Sequence, residues 1–318
     1  MSIIKTTNQL INMVSGDAVY AFKPLITTFF PALKYSNYGR SRPLFLDIED
    51  DDVRARKPHN LMLNDFLDRI TKFKFLLKWQ DFFSYKFNSP LDNYTKFCRG
   101  ITVSSTRLQS MYGGKILLHG PQLLTNPCLI GSSKQNKLKS RFELPNDKII
   151  LLFAGKAGRH KGLKVIERSI SRLDDFHRYF HIVLAGDPNQ RDFIRIKEIL
   201  NESCTLTGIV EHHKIQELVQ ASDLIPIIQD KSEYSESQIP AKLLEAFACG
   251  RPAICTKVGD LSILIKGNTL TPRGWIIEEP SSQSLSNLLL SLKANYKSKS
   301  GLKKRGEAAF NFYKKYCS

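Results

Sequence analysis

The sequence predicts an α/β protein with two domains, the second of which contains a doubly wound parallel sheet. Three observations support this fold class. The 318 residues are enough for two domains of ordinary size. Short strand patterns occupy the first third of the chain. From Asp147 onward, apolar strand patterns alternate with helical patterns, which is typical of a parallel sheet with helices on both faces. These strands are predicted at residues 149–154, 182–185, 204–206, 224–227, 253–255 and 275–277.

The domain boundaries follow from this pattern. We expect residues 1–128 to form a partial first domain and residues 129–298 to form a complete second domain. Residues 299–318 predict a basic C-terminal helix, and one hypothesis is that it packs back on the first domain.

The formal net charge of +17 predicts attraction to an anionic partner. Nucleic acid, anionic lipid and a phosphorylated ligand are the alternatives. The charge is spread over both domains, and no helix-turn-helix, zinc-finger or RNA-binding signature accompanies it. We therefore expect no nucleic-acid partner.

The cysteine pattern and the hydropathy indicate the compartment. The 6 cysteines are scattered without a CxxC pair, which is typical of reduced thiols in a cytosolic protein. The first residues lack the apolar core of a signal peptide, and no apolar run reaches the roughly 18 residues that span a bilayer. We expect a cytoplasmic protein, either soluble or peripheral on the inner face of the membrane.

In the first domain, a carboxylate cluster follows the predicted strand at residues 43–48. It begins with Asp47 and continues through residues 49–52. Ligands of open α/β sheets bind at this edge, so the cluster is either a metal site or capping and solvated acidity, and the second is commoner. His119 follows the last strand of this domain, which is predicted at residues 115–118.

Residues 61–87 predict a long helix in which aromatic side chains alternate with lysines. A basic, aromatic helix suits the surface of an anionic membrane. A helix packed on the sheet, with its lysine stems lying along apolar surface, shows the same pattern. We favour the second interpretation.

A glycine-rich turn follows the first strand of the second domain. It contains Gly155, Gly158 and Gly162 together with Lys156 and Lys161. Glycines let a phosphate approach the backbone, the N-terminus of the next helix offers free N–H groups, and lysines add charge. The turn therefore predicts a phosphate site, though such turns are common in α/β proteins.

The rest of the second domain is organised around residues 237–254. Pro240 can open a helix there, and Gly250 followed by Pro252 can end it at a left-handed cap. At about 100° per residue, the large apolar side chains share one side of this helix: Leu243, Leu244 and Phe247. Small side chains share the other: Ala241, Ala248 and Cys249. Glu245 falls among the small ones, so it is either an exposed helix residue or faces a ligand that offers hydroxyls.

This helix resembles the signature helix of family 4 of the retaining, nucleotide-sugar-dependent glycosyltransferases, which have the GT-B fold. The matching positions are Pro240, Lys242, Leu243, Leu244, Glu245, Ala248, Gly250 and Pro252. The resemblance implies two Rossmann-like, doubly wound parallel-sheet domains that face a cleft. It also implies transfer of a sugar from a nucleotide-sugar donor to a hydroxyl of a glycan or lipid-linked acceptor, in the synthesis of cell-surface polysaccharide, lipopolysaccharide or glycolipid. Neither a metal nor another cofactor is expected.

The resemblance further implies roles for single residues. Lys156 and Lys161 match two cations that hold the donor diphosphate, and Glu245 matches the residue on the ribose, so these three are the catalytic candidates. The donor-binding candidates are Gly155, Gly158, Gly162, Val210, Ser237, Lys242 and Glu245. Asp47 and His119 are candidates for the acceptor side.

Two departures from the family pattern matter. Ser237 stands where the family usually has an acid that contacts the donor sugar. The resemblance also enters the first domain partway, so this domain is expected to be reduced or truncated. The alternative to an active enzyme is therefore a non-catalytic nucleotide-sugar-binding subunit or a truncated, inactive homologue.

Overall fold

The computed structural model describes residues 3–52, 88–120, 129–156, 162–267, 271–294 and 296–317. The chain forms two compact units. The first comprises Met1–Leu117 with Ser232–Gln238, and the second comprises Leu118–Lys231 with Ile239–Ser318. The helix expected at residues 61–87 lies outside the described residues.

The elements of the first half of the chain are α1 (Ile3–Met13), β1 (Val19–Phe22), α2 (Phe29–Tyr35), β2 (Leu44–Ile48), a 3-10 helix (Ser89–Phe97), β3 (Gly100–Val103), α3 (Thr106–Tyr112), β4 (Lys115–Ile116), α4 (Ser132–Arg141) and β5 (Ile149–Ala154). They continue with α5 (Leu163–Ile170), α6 (Phe176–Tyr179), β6 (Phe180–Ala185), α7 (Arg191–Leu200), a 3-10 turn (Asn201–Ser203), β7 (Cys204–Gly208), α8 (His212–Ala221) and β8 (Ile225–Ile227). The last elements are α9 (Glu233–Ser237), α10 (Ala241–Ala248), β9 (Ala253–Thr256), α11 (Leu261–Lys266), β10 (Gly274–Ile277), α12 (Ser282–Lys293) and α13 (Ser300–Tyr316).

The sheet of the first unit is parallel, in the sequential order β1-β2-β3-β4. Leu44, Leu46 and Ile48 alternate along β2 and form one core with side chains of α2 and α3. Asp47 lies between them and points to the opposite face, because successive strand residues alternate. The described strands of this unit follow one another in sequence order. Right-handed crossovers in one direction therefore place α2 and α3 on the same face of the sheet.

The second unit contains a six-stranded parallel arrangement. Two hydrogen-bonded groups, β5-β6-β7 and β10-β9-β8, are joined where Leu151 of β5 bridges Leu224, next to β8. The N–H of Leu152 donates to the carbonyl of Leu224 at 3.1 Å across this junction. The resulting order, β7-β6-β5-β8-β9-β10, is that of a Rossmann-type doubly wound sheet. The predicted parallel α/β fold is confirmed, and the order reverses between β5 and β8.

Both faces of this second sheet are buried. Along β5, Ile150 and Leu152 face one hydrophobic core, whereas Ile149, Leu151 and Phe153 face the other. A parallel strand covered on both sides is apolar at every position. This explains why the sequence of β5 showed a continuous apolar run rather than an alternating pattern.

The C-terminal helix α13 packs within the second unit. Ala309 and Tyr313 of α13 join the core that contains Phe247 of α10. Gly306 permits the contact, because a Cβ at this position would lie 2.1 Å from the carbonyl oxygen of Gly250. The apolar stripe of α13 is thus buried against α10, and the hypothesis that this helix also packs back on the first domain stays a prediction.

Asp223 joins three elements at the edge of the second sheet where β5 and β8 begin. Its carboxylate accepts from the ammonium groups of Lys139 at 2.8 Å and Lys299 at 3.0 Å, and from the N–H of Ile150 at 2.9 Å. Gln135 donates to its second oxygen at 3.0 Å. Asp223 therefore has the structural role that its position directly before a strand indicates.

No helix in the described ranges is both long and apolar enough to cross a lipid bilayer.

Candidate functional site

Three adjacent strands of the second unit end in glycines with positive φ. Gly155 follows β5 with φ +115°, Gly186 follows β6 with φ +151°, and Gly208 ends β7 with φ +69°. The N–H of Gly155 donates to the carbonyl of Ala185 at 2.7 Å, and the N–H of Gly186 donates to that of Gly208 at 2.9 Å. The three strand ends therefore carry no side chains of their own, and that of β5 lies beside the point of strand reversal, where ligands of doubly wound sheets bind.

Each glycine of this edge has its own requirement. A Cβ on Gly155 would lie 3.1 Å from Nζ of Lys242, and one on Gly186 would lie 2.7 Å from the carbonyl oxygen of Gly155. A Cβ on Gly208 would meet nothing within 4 Å, so only the positive φ of this residue favours glycine. Gly186 was missed by the sequence reasoning, and the available signal was its place directly after a buried strand, which it shares with Gly155.

The glycine-rich turn is described at its two ends. Lys156 is exposed directly after Gly155. Gly158 and Lys161 lie outside the described residues, so their roles stay predictions. Gly162, with φ +65°, caps α5, and a Cβ there would lie 2.5 Å from Cβ of Ile228. Gly162 thus brings the start of α5 against the segment that follows β8.

Helix α10 begins and ends close to the predicted residues. Pro240 is its N-cap with φ −62° and ψ 125°, one position earlier than a first-turn proline. At the other end, Gly250 has φ +63°, its N–H donates to Phe247 at 3.0 Å, and the N–H of Arg251 donates to Ala246 at 2.8 Å. This pair of bonds is a Schellman motif, so the predicted left-handed cap is present.

The faces of α10 differ in part from the expectation. Leu243, Leu244 and Phe247 are buried as predicted, and Glu245 is half-buried. Ala248 and Cys249, expected beside Glu245 on the open side, are also buried, at 0% and 1% exposure. The physical reason is a second layer supplied by α8 and α13: Cys249 Sγ lies 4.0 Å from the carbonyl oxygen of Gln216 in α8, and Ala309 and Tyr313 of α13 share the core with α10. Ala241 and Glu245 remain the accessible part of that side.

Lys242 connects α10 to the end of β5. Its Nζ lies 4.7 Å from the ring centroid of Phe153, the residue two before Gly155. Lys242 and Glu245 are three residues apart and therefore share one face of the helix. The structure thus places Lys242 against Gly155, with Glu245 on the same face of α10 and Lys156 next to Gly155 in sequence.

Val210 lies beyond the third glycine of the edge. It is half-buried and packs on the core that contains α10. Its neighbour Ile209 is 81% exposed and points away from that core. Val210 therefore anchors the loop after β7 on the core, whereas Ile209 in the same loop is exposed to solvent.

Ser237 belongs to the first unit, whereas the residues above belong to the second. It is 0% exposed, and its hydroxyl donates to the carbonyl of Tyr234 at 2.8 Å. Its own carbonyl accepts from the hydroxyl of Ser105 at 2.7 Å. The adjacent Glu236 pairs with Arg107 at 2.6 Å. These bonds give Ser237 a local role in joining α9 to the start of α3.

The carboxylates after β2 are held by neighbouring groups. Asp47 is 1% exposed and accepts from the hydroxyl of Thr102 at 2.6 Å. Lys23 lies 2.5 Å from Asp52 and 3.4 Å from Asp50. Burial disfavours the charge on Lys23, but the hydrogen bond and charge of Asp52 outweigh it, so the pKa of Lys23 is raised. Burial also raises the pKa of Asp50.

Within the described residues, no group of three or more His, Cys, Asp or Glu side chains is arranged to hold a metal ion.

His119 belongs to the second unit, whereas Asp47 belongs to the first. His119 is half-buried and precedes Gly120, where a Cβ would lie 2.8 Å from Oη of Tyr313. The backbone at His119 is therefore packed closely against α13. Neither residue is shown to contact an acceptor, and both remain predictions.

The strand order and the glycine-lined edge are those of a Rossmann-type unit. Residues 134–309, more than half of the chain, match the family model for glycosyl transferases group 1. The chain belongs to this family.

Curated relatives are similar over part of their length. A protein from Bacillus subtilis named as teichuronic acid biosynthesis glycosyltransferase TuaC is 26% identical over 155 residues, which are 49% of this chain and 36% of that protein. The lipopolysaccharide 1,2-N-acetylglucosaminetransferase of Salmonella typhimurium is 22% identical over 202 residues, 59% of this chain and 51% of that protein. The chain spans about a third to a half of the length of these relatives.

Solved structures share the fold of nearly the whole chain. Anabaena Alr3699/HepE in complex with UDP-glucose superposes with a TM-score of 0.64 at 15% identity, covering 99% of this chain and 78% of that one. A glycosyltransferase from Rickettsia africae gives 0.63 at 16% identity, covering 99% and 77%. This likeness confirms the predicted GT-B type of fold.

Proposed function

We propose that the chain is a retaining family 4 glycosyltransferase that moves a sugar from a nucleotide-sugar donor to an acceptor hydroxyl. One observation carries the proposal: the ammonium of Lys242 lies against Gly155 at the carboxyl edge of the second sheet, and Glu245 shares the same face of α10. They offer side-chain-free backbone, a cation and a carboxylate, which match a phosphate and a sugar diol. The group 1 family match and the fold shared with a UDP-glucose complex support it.

In the proposed reaction, the bond between the sugar C1 and the diphosphate breaks and a bond from C1 to the acceptor oxygen forms. The proton of the acceptor hydroxyl passes to the departing diphosphate on the same face of the sugar, so configuration is retained. Lys156, and Lys161 by the sequence prediction, would stabilise the charge that develops on the leaving group. Glu245 would hold the ribose.

The donor and acceptor classes rest on the relatives. UDP-glucose is the donor analogue to test first, because it is bound by a protein that shares this fold. The acceptor we propose is a glycan or lipid-linked hydroxyl of a cell-surface polysaccharide, lipopolysaccharide or glycolipid, since relatives are named for teichuronic acid and lipopolysaccharide synthesis. We propose that the reaction needs no metal and no other cofactor, as the resemblance implies.

The test of this function is donor binding and turnover by the whole chain. Calorimetry with UDP, GDP and ADP identifies the nucleotide that binds. Release of the nucleoside diphosphate from the matching nucleotide sugar measures turnover. We expect binding of one diphosphate and slow hydrolysis of its sugar conjugate. Absence of binding to all three nucleotides would overturn the proposal.

A non-catalytic nucleotide-sugar-binding subunit is the second candidate. Ser237 favours it, because the resemblance leads us to expect an acid at this position and the serine hydroxyl donates to the carbonyl of Tyr234 instead. It predicts tight diphosphate binding together with no release of diphosphate from any of the nucleotide sugars.

We further propose a cytoplasmic chain that binds peripherally to anionic membrane, where a lipid-linked acceptor resides. Helix α13 exposes Lys303, Lys304, Lys314 and Lys315. The protein is expected to sediment with anionic vesicles at low salt and to be released by salt, because surface charges are screened. Equal binding to neutral vesicles would contradict this.

A further inference from the structure

Lys242 is the cation beside Gly155 in the proposed donor site, and the proposed reaction gives it no role of its own. It projects from the first turn of α10 towards the end of β5, in the N-terminal direction that helix side chains take. Its ammonium lies 4.7 Å from the ring centroid of Phe153. Phe153 is itself 3% exposed and packs edge-on against Phe193 at 5.9 Å. A rigid buried ring therefore supports the cation.

The backbone of Gly155 gives this ammonium access to the strand end. A Cβ at Gly155 would approach Nζ of Lys242 to 3.1 Å and Cε to 3.3 Å. The missing side chain of Gly155 therefore leaves the volume that the end of Lys242 occupies. The lysine lies against the first residue of the glycine-rich turn, although the two are far apart in sequence.

Glu245 gives the direction in which a ligand would lie along α10. Lys242 and Glu245 are three residues apart, which corresponds to a rise of about 4.5 Å along the helix axis. Lys242 lies on the N-terminal side of Glu245 and against Gly155, at the strand end where phosphates bind in doubly wound sheets. A nucleotide whose ribose hydroxyls reach Glu245 would therefore extend its phosphates towards Lys242. A cation at that position matches the charge of the phosphates.

We infer that Lys242 is a third cation of the diphosphate site, positioned by Phe153 and Gly155, and that it contacts the phosphate more distant from the ribose. This inference rests on the proposed function and extends it. Its consequence is that Lys242 discriminates nucleoside diphosphates from monophosphates. It also stabilises the leaving group, whose negative charge increases as the sugar departs.

The experiment compares UDP and UMP binding to the whole chain by calorimetry. Lys242→Met keeps an unbranched side chain, one atom shorter, and removes its charge. We expect the Kd of UDP to rise about 10- to 100-fold, the scale of one hydrogen bond to a charged group, and the Kd of UMP to rise less than about 3-fold. Lys137→Met, on the exposed surface of α4, is the matched control for net charge and should change neither value.

A second variant tests the positioning by Phe153. Phe153→Leu keeps an apolar side chain but removes the ring, so UDP binding should weaken about 3- to 10-fold, within the range of a cation–π contact. In Lys242→Met the same substitution should have no further effect on UDP affinity, because the interaction is already absent. Additive effects of the two substitutions would overturn the positioning by Phe153.

The outcomes separate this inference from the proposed function. If the native chain binds UDP and Lys242→Met has an unchanged ratio of UDP to UMP affinity, the inference is overturned and the proposed function stands. If the native chain binds GDP or ADP instead, the same comparison is made with that nucleotide and its monophosphate. If it binds none of the three diphosphates, both fall. Melting temperatures of the variants, measured alongside, exclude unfolding as the cause of lost binding.

Discussion

Glu245 lies half-buried on the accessible side of α10 and is the residue on which the donor-site assignment depends. A carboxylate can accept from both hydroxyls of a vicinal diol at once. Glu245→Ala is expected to weaken UDP binding by about 2 to 4 kcal/mol, or roughly 30- to 1,000-fold, through lost charge-assisted hydrogen bonds. Isothermal titration calorimetry measures the change.

Repeating the titrations of the native protein and Glu245→Ala with 2′-deoxy-UDP distinguishes a direct contact from indirect damage to the site. The deoxy ligand should lose part of this affinity on the native protein and almost nothing more on Glu245→Ala. Glu198→Ala, on the exposed side of α7, is the control and should leave both affinities unchanged. A full additional loss for the deoxy ligand on the Glu245 variant would show that the carboxylate does not contact the diol.

His181, at the start of β6, makes stability depend on pH. It is 4% exposed, its Nε2 lies 2.8 Å from the hydroxyl of Thr205, and burial together with the charges of Lys148 and Lys197 lowers its pKa to about 4. Between this pKa and the ordinary value near 6.5, the unfolded chain binds more protons than the folded one. Stability should therefore fall as pH falls through this window, by up to about 3 kcal/mol.

Urea denaturation at pH 7 and pH 4.5 measures this dependence. His181→Gln should remove about 3 kcal/mol or less of the difference between the two pH values, because glutamine does not titrate. His177→Gln, on the exposed surface, is the control. An unchanged pH difference in the His181 variant would assign the acid sensitivity to other groups.

At the scale of elements, the contact between α10 and α13 depends on one glycine. Gly306→Ala would place a Cβ 2.1 Å from the carbonyl oxygen of Gly250, a backbone atom that cannot rotate away. We expect a destabilisation of about 1 to 3 kcal/mol, the scale of overpacking. The expected measurement is a lower midpoint of urea unfolding.

Gly301, in the same helix, supplies the matched control. A Cβ there meets nothing within 4 Å. Gly301→Ala should therefore be neutral or stabilising by up to about 1 kcal/mol, since alanine favours the helix over glycine. Equal destabilisation by the two substitutions would show that the close contact at Gly306 is not the cause.

At the scale of the molecule, Asp223 holds α4, β5 and the start of α13 together in the second unit. Burial opposes its ionisation, but Lys139 and Lys299 outweigh it and lower the pKa of Asp223. Burial lowers the pKa of Lys139 to about 8. Asp223→Asn leaves buried cations without their counter-charge and should cost about 3 to 5 kcal/mol in unfolding free energy.

Two further variants test this explanation by denaturant unfolding. Adding Lys139→Met to Asp223→Asn should recover part of the loss, because one uncompensated charge is removed. Glu217→Gln breaks the exposed pair with Arg141, whose atoms lie 2.7 Å apart, and should cost at most about 1 kcal/mol. Similar losses from the buried and exposed pairs would contradict the role of burial.

Local sequence patterns were sufficient for much of the fold and part of the candidate site. The continuous apolar runs of β5 and β6, the cap at Gly250 and the buried face of α10 depend on backbone angles and on residues a few positions away. These interactions act within one element, so the order of residue types in that element is enough to predict them. The doubly wound arrangement follows from the alternation of strands and helices along the second unit.

The tertiary structure decided which surfaces become buried and which distant residues meet. Ala248 and Cys249 share a helix side with the half-buried Glu245, but the core that they form with α8 and α13 buries them, and nothing within α10 specifies those partners. Gly186 joins Gly155 at the strand ends through pairing of β5 with β6, and Lys242 reaches Gly155 across the unit. Ser237, adjacent in sequence to α10, belongs to the first unit. Packing between residues far apart in sequence produces these contacts, because burial depends on the surface presented by another element.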